Sequence, residues 1–198
     1  MTKVLVLKSS MMGEQSQTNQ LIEQLLKQRA EHGFQDDVIT HDLTTLNLPV
    51  LNADIFHALR GAENDSQQIQ KIVQLSDQLI AELKQADLLL IGAPMYNLNV
   101  PTQLKNWFDL VVRARHTFRY TETYPQGLVD GVNAIVVSSR GGVHLGQPTD
   151  AVSPYLTSVL GLIGIHNVEF VYAEGMDIPP LRENALKAAH TQILKLAV

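Results

Sequence analysis

The chain has 198 residues, 45% of them hydrophobic, a formal net charge of −5 and no cysteine. That supplies enough apolar material for one domain of ordinary α/β size. The missing cysteines exclude disulfides, thiolate metal sites and thiol nucleophiles, and the acidic balance without a basic run argues against nucleic acid and anionic membrane surfaces as partners.

Apolar β-branched runs alternate with helical periodicity along the whole chain. Val4-Leu5-Val6-Leu7 reads as a buried first strand, because it is continuous and apolar rather than alternating. Leu21, Ile22, Leu25 and Leu26 mark one face of a helix that runs to about Gly33, a natural C-cap. Residues 37–42 alternate, as expected of a strand nearer a sheet edge. Residues 43–67 have no clean period and are expected to be irregular, with a short helix near residues 55–59. A long helix follows, its buried stripe carrying Ile69, Ile72, Val73, Leu79, Ile80 and Leu83. The third strand is expected at residues 88–91, and its helix begins after Pro101, since proline suits a first helical turn. Phe118, Tyr120, Tyr124 and Pro125 then interrupt the alternation as an aromatic excursion or small hairpin projecting from the sheet. A fourth strand at residues 134–138, a helix at 153–162, a fifth strand at 168–172 and a last helix at 181–196 complete the pattern. Such β–α units with right-handed crossovers give a single flavodoxin-like, doubly wound α/β domain. Its five-stranded parallel sheet takes the order 2-1-3-4-5, with helices on both faces and a switch point between strands one and three. The longest apolar runs are too short to cross a bilayer, and the start enters a strand without a signal-peptide core. A soluble, cytoplasmic protein is expected.

Three of the strand ends lead into small or polar residues, at the sheet edge where open α/β folds bind ligands. The first junction offers the hydroxyls of Ser9, Ser10, Ser16 and Thr18 and the amide of Gln17 at a helix N-terminus. Unpaired N–H groups and the positive end of the helix dipole favour a phosphate there. It contains no lysine or arginine, so neutral donors would hold a monophosphate; Ser16 or Thr18 equally suits plain helix capping. The second junction, Pro94-Met95-Tyr96-Asn97-Leu98, can pack Met95 and Tyr96 against an aromatic ring system and offer the Asn97 amide to its edge. An ordinary turn with an asparagine in left-handed conformation fits the same residues. The third, Ser139-Arg140-Gly141-Gly142, lets the backbone approach a ligand closely, with N–H groups or Arg140 facing a pyrimidine-like edge. The alternative is a flexible turn with a solvated arginine.

Other chemistries find no support. The seven histidines are scattered without metal-ligand spacing, and Ser138 and Ser139 do not sit in a Gly-x-Ser-x-Gly elbow. The dinucleotide and P-loop glycine fingerprints are missing from the first junction. Ala93-Pro94-Met95 occupies the place of a receiver domain's phosphoacceptor aspartate.

Four segments, Lys3-Val4-Leu5-Val6-Leu7-Lys8-Ser9-Ser10, Ala93-Pro94-Met95-Tyr96-Asn97, Thr102-Gln103-Leu104-Lys105-Asn106-Trp107-Phe108-Asp109 and Ser139-Arg140-Gly141-Gly142, closely resemble the bacterial FMN-dependent NADH:azoreductases of the flavodoxin-like quinone reductase superfamily. The similarity extends through Phe118-Arg119-Tyr120-Thr121-Glu122 and Ala173-Glu174-Gly175. The resemblance implies a homodimer with FMN at the subunit interface and no side-chain acid or base in catalysis. Ser10, Ser16, Gln17 and Thr18 would take the phosphate and ribityl chain. Pro94, Met95, Tyr96, Asn97 and Leu98 would lie against the isoalloxazine, and Ser139, Arg140, Gly141 and Gly142 at its pyrimidine side. Tyr120 and Arg60 would face substrate, together with Leu162, which is aliphatic where some members carry an aromatic residue. NADH or NADPH would be the electron donor, in a ping-pong cycle, and quinones or aromatic azo compounds the acceptors. The rival is a flavodoxin-type FMN carrier serving protein partners, although such carriers are typically more acidic.

Overall fold

The computed structural model describes residues 1–197. In chain order the elements are β1 (Thr2–Lys8), α1 (Gln17–Glu31), β2 (Asp36–Asp42), α2 (Ala53–Leu59), α3 (Gln67–Gln85), β3 (Leu88–Gly92) and α4 (Thr102–Val111). There follow β4 (Phe118–Arg119), β5 (Gln126–Gly127), β6 (Asn133–Ser139), α5 (Val152–Ile163), β7 (Val168–Ala173) and α6 (Pro179–Leu196). The expected parallel sheet is present, in the order β2-β1-β3-β6-β7. The strand numbers shift because the aromatic excursion is a hairpin: β4 and β5 pair only with each other.

The sheet is covered on both faces, and β1 shows why its sequence is continuously apolar. Successive side chains point to opposite faces. Val4 and Val6 meet Leu21, Ile22 and Leu25 of α1 and Ala189 and Ile193 of α6. Leu5 and Leu7 meet the layer built by α3, α4 and α5, including Leu79, Leu83, Trp107, Phe108 and Leu160. Each such aliphatic side chain contributes roughly 1.5–3 kcal/mol by leaving water. The edge strand β2 is mostly exposed, in keeping with its alternating sequence. The irregular segment does contain the expected short helix, α2, capped by Asn52, whose Oδ1 accepts from the Ile55 N–H at 2.9 Å. The last helix starts two residues earlier than expected, at Pro179, because a first turn needs no N–H partners.

The hairpin is docked rather than free. Leu128 and Val129 both donate backbone N–H groups to the Ile163 carbonyl, at 3.1 and 2.9 Å, at the end of α5. Gly164 ends that helix at φ +107°, a left-handed cap that glycine adopts without a steric penalty. A Cβ on Gly127 would fall on the Gly164 backbone, so two glycines make this close approach possible. Because all sheet neighbours are parallel, the loops after β1, β3, β6 and β7 leave from one edge, and β1 and β3 flank the switch point there. Among the described residues, no helix is long and apolar enough to cross a membrane.

Candidate functional site

The four loops at this edge are laced together by hydrogen bonds. The Ser9 hydroxyl donates to the Gly92 carbonyl at 2.6 Å and is buried, fastening the first loop to the end of β3. Ser10 Oγ and the Tyr96 hydroxyl share a hydrogen bond at 3.0 Å, joining the first and second loops. Thr18 Oγ1 and Ser139 Oγ are 2.7 Å apart, which joins the first and third. The Met95 N–H donates to the Ser139 carbonyl at 2.9 Å, and the Met176 and Asp177 N–H groups donate to the Arg140 and Gly141 carbonyls, both at 3.0 Å. Side-chain entropy is thereby spent in folding rather than on ligand binding, which is the condition for a preorganised site.

Between the loops lies a cleft of about 400 Å³. Ser10, Ser16, Gln17, Pro94, Met95, Tyr96, Ser139, Arg140 and Gly141 all line it, so most of the residues singled out by sequence meet in one place. Its floor is rich in donors. Ser16 caps α1, its Oγ accepting from the Asn19 N–H at 3.2 Å, which leaves the hydroxyl proton free to donate. The N–H groups of Gln17 and Thr18 have no hydrogen-bond partner among the described residues, nor do those of Gly141 and Gly142. The former pair suits an anion at a helix N-terminus, the latter the carbonyl edge of a ring. Thr18 itself is buried, and its hydroxyl is committed to Ser139 rather than turned to the cleft. Gly141 and Gly142 cannot carry a side chain without displacing neighbours: a Cβ would fall on the Asp177 carboxylate in the first case and 2.7 Å from His144 Nε2 in the second.

Arg140 is neither solvated nor free to reach a ligand. Only 1% exposed, it lies within 3.1 Å of both Asp150 and Glu174, donates to Ser153 Oγ at 2.8 Å, and sits 4.7 Å over the Tyr172 ring. Burial works against ionisation of Asp150, but bonds from Ser153 and then Arg140 outweigh it and hold the carboxyl below its ordinary value. Glu174 also accepts from the His144 and Leu145 N–H groups, at 2.8 and 2.9 Å. The guanidinium is therefore a brace that fixes the third loop against α5 and β7.

Asn97 and Leu98 occupy the centre of a tight turn between Tyr96 and Asn99, with φ +49° and +65°. Positive φ at both central residues is the signature of a type I′ turn. It aims Asn97 away from the cleft, into a second cavity of about 510 Å³ lined also by Met11, Asn99, Val100 and Tyr155. Tyr96 stands between the two cavities. Burial, helped by Asp109, pushes the Tyr155 hydroxyl up to about 12, further from ionisation than an ordinary tyrosine. The three residues expected to face substrate do not line the cleft within this chain. Arg60 lines a separate recess and stacks 4.8 Å over Phe56; Tyr120 projects from the hairpin, 64% exposed; Leu162 is half-buried on α5.

Sequence reasoning missed one wall. Met176, Asp177 and Arg182, from the loop after β7 and the start of α6, also line the cleft, as do Met12 and Gln15 of the first loop. The signal was a fifth strand ending before Gly175, followed by a Pro-Pro helix start, the same strand–loop–helix grammar as the other junctions.

Comparison with known proteins agrees with this geometry. Residues 2–197 match a family model described as a flavodoxin-like fold. An FMN-dependent NADH:quinone oxidoreductase 4 of Burkholderia lata is 67% identical over 180 residues, 91% of this chain and 90% of that one. An FMN-dependent NADH:quinone oxidoreductase of Aeromonas salmonicida is 50% identical over the full length of both chains. Among solved structures, an azoreductase from Bacillus anthracis superposes with a TM-score of 0.89 at 30% identity, covering 100% of this chain and 99% of that one. The chain belongs to the flavodoxin-like family, and within it to the FMN-dependent NADH:quinone oxidoreductases.

Proposed function

We propose that this chain is an FMN-dependent oxidoreductase that passes two electrons from NADH or NADPH to quinones and to the azo bonds of aromatic azo compounds, cleaving the latter to amines. The observation that carries this reading is the preorganised cleft at the β1–β3 switch point, whose free donors match the parts of FMN in order. The Gln17 and Thr18 N–H groups and the Ser16 hydroxyl suit the phosphate, and Ser10 the ribityl chain. Pro94, Met95 and Tyr96 offer a flat apolar wall for the isoalloxazine. The Gly141 and Gly142 N–H groups suit its carbonyl edge, against which a glycine backbone can lie closely. When bound, FMN supplies the hydride chemistry, accepting from the nicotinamide and donating to the acceptor. The protein's own part is to hold the ring, exclude water and place N–H dipoles where negative charge develops.

Donor and acceptor would use the same face in turn, a ping-pong cycle. Tyr120, Leu162 and Arg60, which lie off the cleft in one chain, would reach a cleft in a second copy. Exposed Val50, Tyr120, Val143 and Leu145 support a homodimer, as does the exposed Met11 beside Tyr96. The same reading makes the protein cytoplasmic. A carrier role is not favoured, because −5 over 198 residues is a weak docking field for basic partners.

The test is steady-state oxidation of NADH by the FMN-loaded protein with menadione or methyl red as acceptor. Turnover with parallel double-reciprocal lines is expected; a protein that binds FMN but reduces neither acceptor would refute the reductase reading. A colourless preparation that takes up no added FMN would refute the cofactor assignment as well. Gly141→Val should weaken FMN binding through the Asp177 clash, and an unchanged FMN affinity would sink the third-loop assignment.

A further inference from the structure

The first loop contains no cation, yet one side chain in the cleft lining can supply positive charge. Helices α1 and α6 pack side by side on one face of the sheet, and each follows a strand that ends at the same edge. Both N-termini therefore open on that edge: Ser16 and Gln17 from one helix, and Arg182 from the first turn of the other, line the same cleft. Arg140 lines it too, but Asp150 and Glu174 already neutralise that guanidinium. Arg182 has no carboxylate within salt-bridge distance among the described residues, since its neighbour Glu183 pairs with Lys187 at 2.6 Å. The acid in the lining, Asp177, lies with its carboxylate against Gly141, towards the third loop.

We propose that Arg182 is the cation that recognises the phosphate monoester of the bound flavin, and so makes this cleft prefer FMN to unphosphorylated riboflavin. The proposal rests on the FMN reading above. A phosphate monoester near pH 7 carries close to two charges, while Gln17, Thr18 and Ser16 offer only neutral donors. A guanidinium fork adds charge-assisted bonds in matching planar geometry. Arg182 is exposed, so solvent screening and the cost of ordering a long side chain reduce its effect.

The experiment titrates the full chain with FMN and with riboflavin, following flavin fluorescence, for the wild type, Arg182→Gln and Arg182→Lys. Circular dichroism first establishes that all three fold alike. The expected result is a roughly three- to tenfold weaker FMN affinity in Arg182→Gln, with riboflavin affinity unchanged and partial recovery in Arg182→Lys. The gap should narrow when salt is raised from about 0.05 to about 0.5 M. Equal FMN affinity in wild type and Arg182→Gln overturns the proposal, as does an equal loss for both flavins, which would mean a packing effect. An unchanged FMN affinity with a raised KM for NADH would also overturn it, by assigning the guanidinium to the donor. If the wild type binds riboflavin as tightly as FMN, the phosphate subsite fails while the flavin reading stands; if it binds neither, both fail.

Discussion

Replacing Arg140 by methionine removes a guanidinium but keeps most of its aliphatic volume. Wild-type Arg140 is 1% exposed and serves Ser138, Ser153, Asp150 and Glu174 at distances between 2.8 and 3.2 Å. Its loss strands two carboxylates whose side chains are only 7% and 14% exposed. Removing one partner of a buried ion pair costs about 3–5 kcal/mol. Both carboxylates keep other donors: Ser153 for Asp150, and the His144 and Leu145 N–H groups for Glu174. The lower end of that range therefore applies, about 3 kcal/mol. For a domain of this size each kcal/mol lowers Tm by about 2–4 °C, so a fall of roughly 6–12 °C is expected in the flavin-free protein. Thermal unfolding followed by circular dichroism at pH 7 measures it. Adding Glu174→Gln to Arg140→Met should restore part of the loss, because one uncompensated charge is removed. A fall of less than about 3 °C, or no recovery in the double variant, would refute the argument that the guanidinium braces the third loop.

Three further outcomes are expected. Asp150→Asn should cost stability at pH 7 and much less in acid. The folded carboxyl titrates below its ordinary value, so its contribution is complete above the unfolded value of about 3.9 and is lost as pH falls through the folded value; equal losses in urea melts at pH 7 and at about pH 3 would contradict this. Gly127→Ala should destabilise by at least about 2 kcal/mol, since its Cβ meets the Gly164 backbone rather than a side chain that can turn away; an unchanged Tm would show that the hairpin is not held against α5. Leu98→Gly should stabilise the flavin-free chain by about 0.5–1 kcal/mol, because a leucine at φ +65° pays a left-handed backbone cost while its side chain is 44% exposed; a lowered urea midpoint would mean that Leu98 packing outweighs the strain.

The elements of the sheet were readable because their signals are local. Val4-Leu5-Val6-Leu7 is short, continuous and half valine, which favours a buried strand over a helix, and the Leu21-Ile22-Leu25-Leu26 spacing fits one helix face. Three of the four loops that form the candidate cleft were readable for the same reason, as continuous segments that follow such strands. Arg140 was not. Beside two glycines it looks like a solvated or ligand-facing side chain, and only its burial against Glu174, 34 residues away, makes it a brace. Asn97 shows the reverse case: the turn reading open to it held for its backbone, while its side chain went to the second cavity.

The sequence alone determined the β–α order, the sheet edge that carries the loops, and the absence of any cationic side chain in the first loop, all of which depend on neighbours within a few residues. Tertiary structure decided which loops interlock, that Thr18 turns to Ser139 and Arg140 to Asp150, and that α6 brings Arg182 into the lining of the cleft that Ser16 and Gln17 also line. Those outcomes depend on contacts between residues far apart in the chain, where charge pairing and close packing select partners that no local pattern encodes.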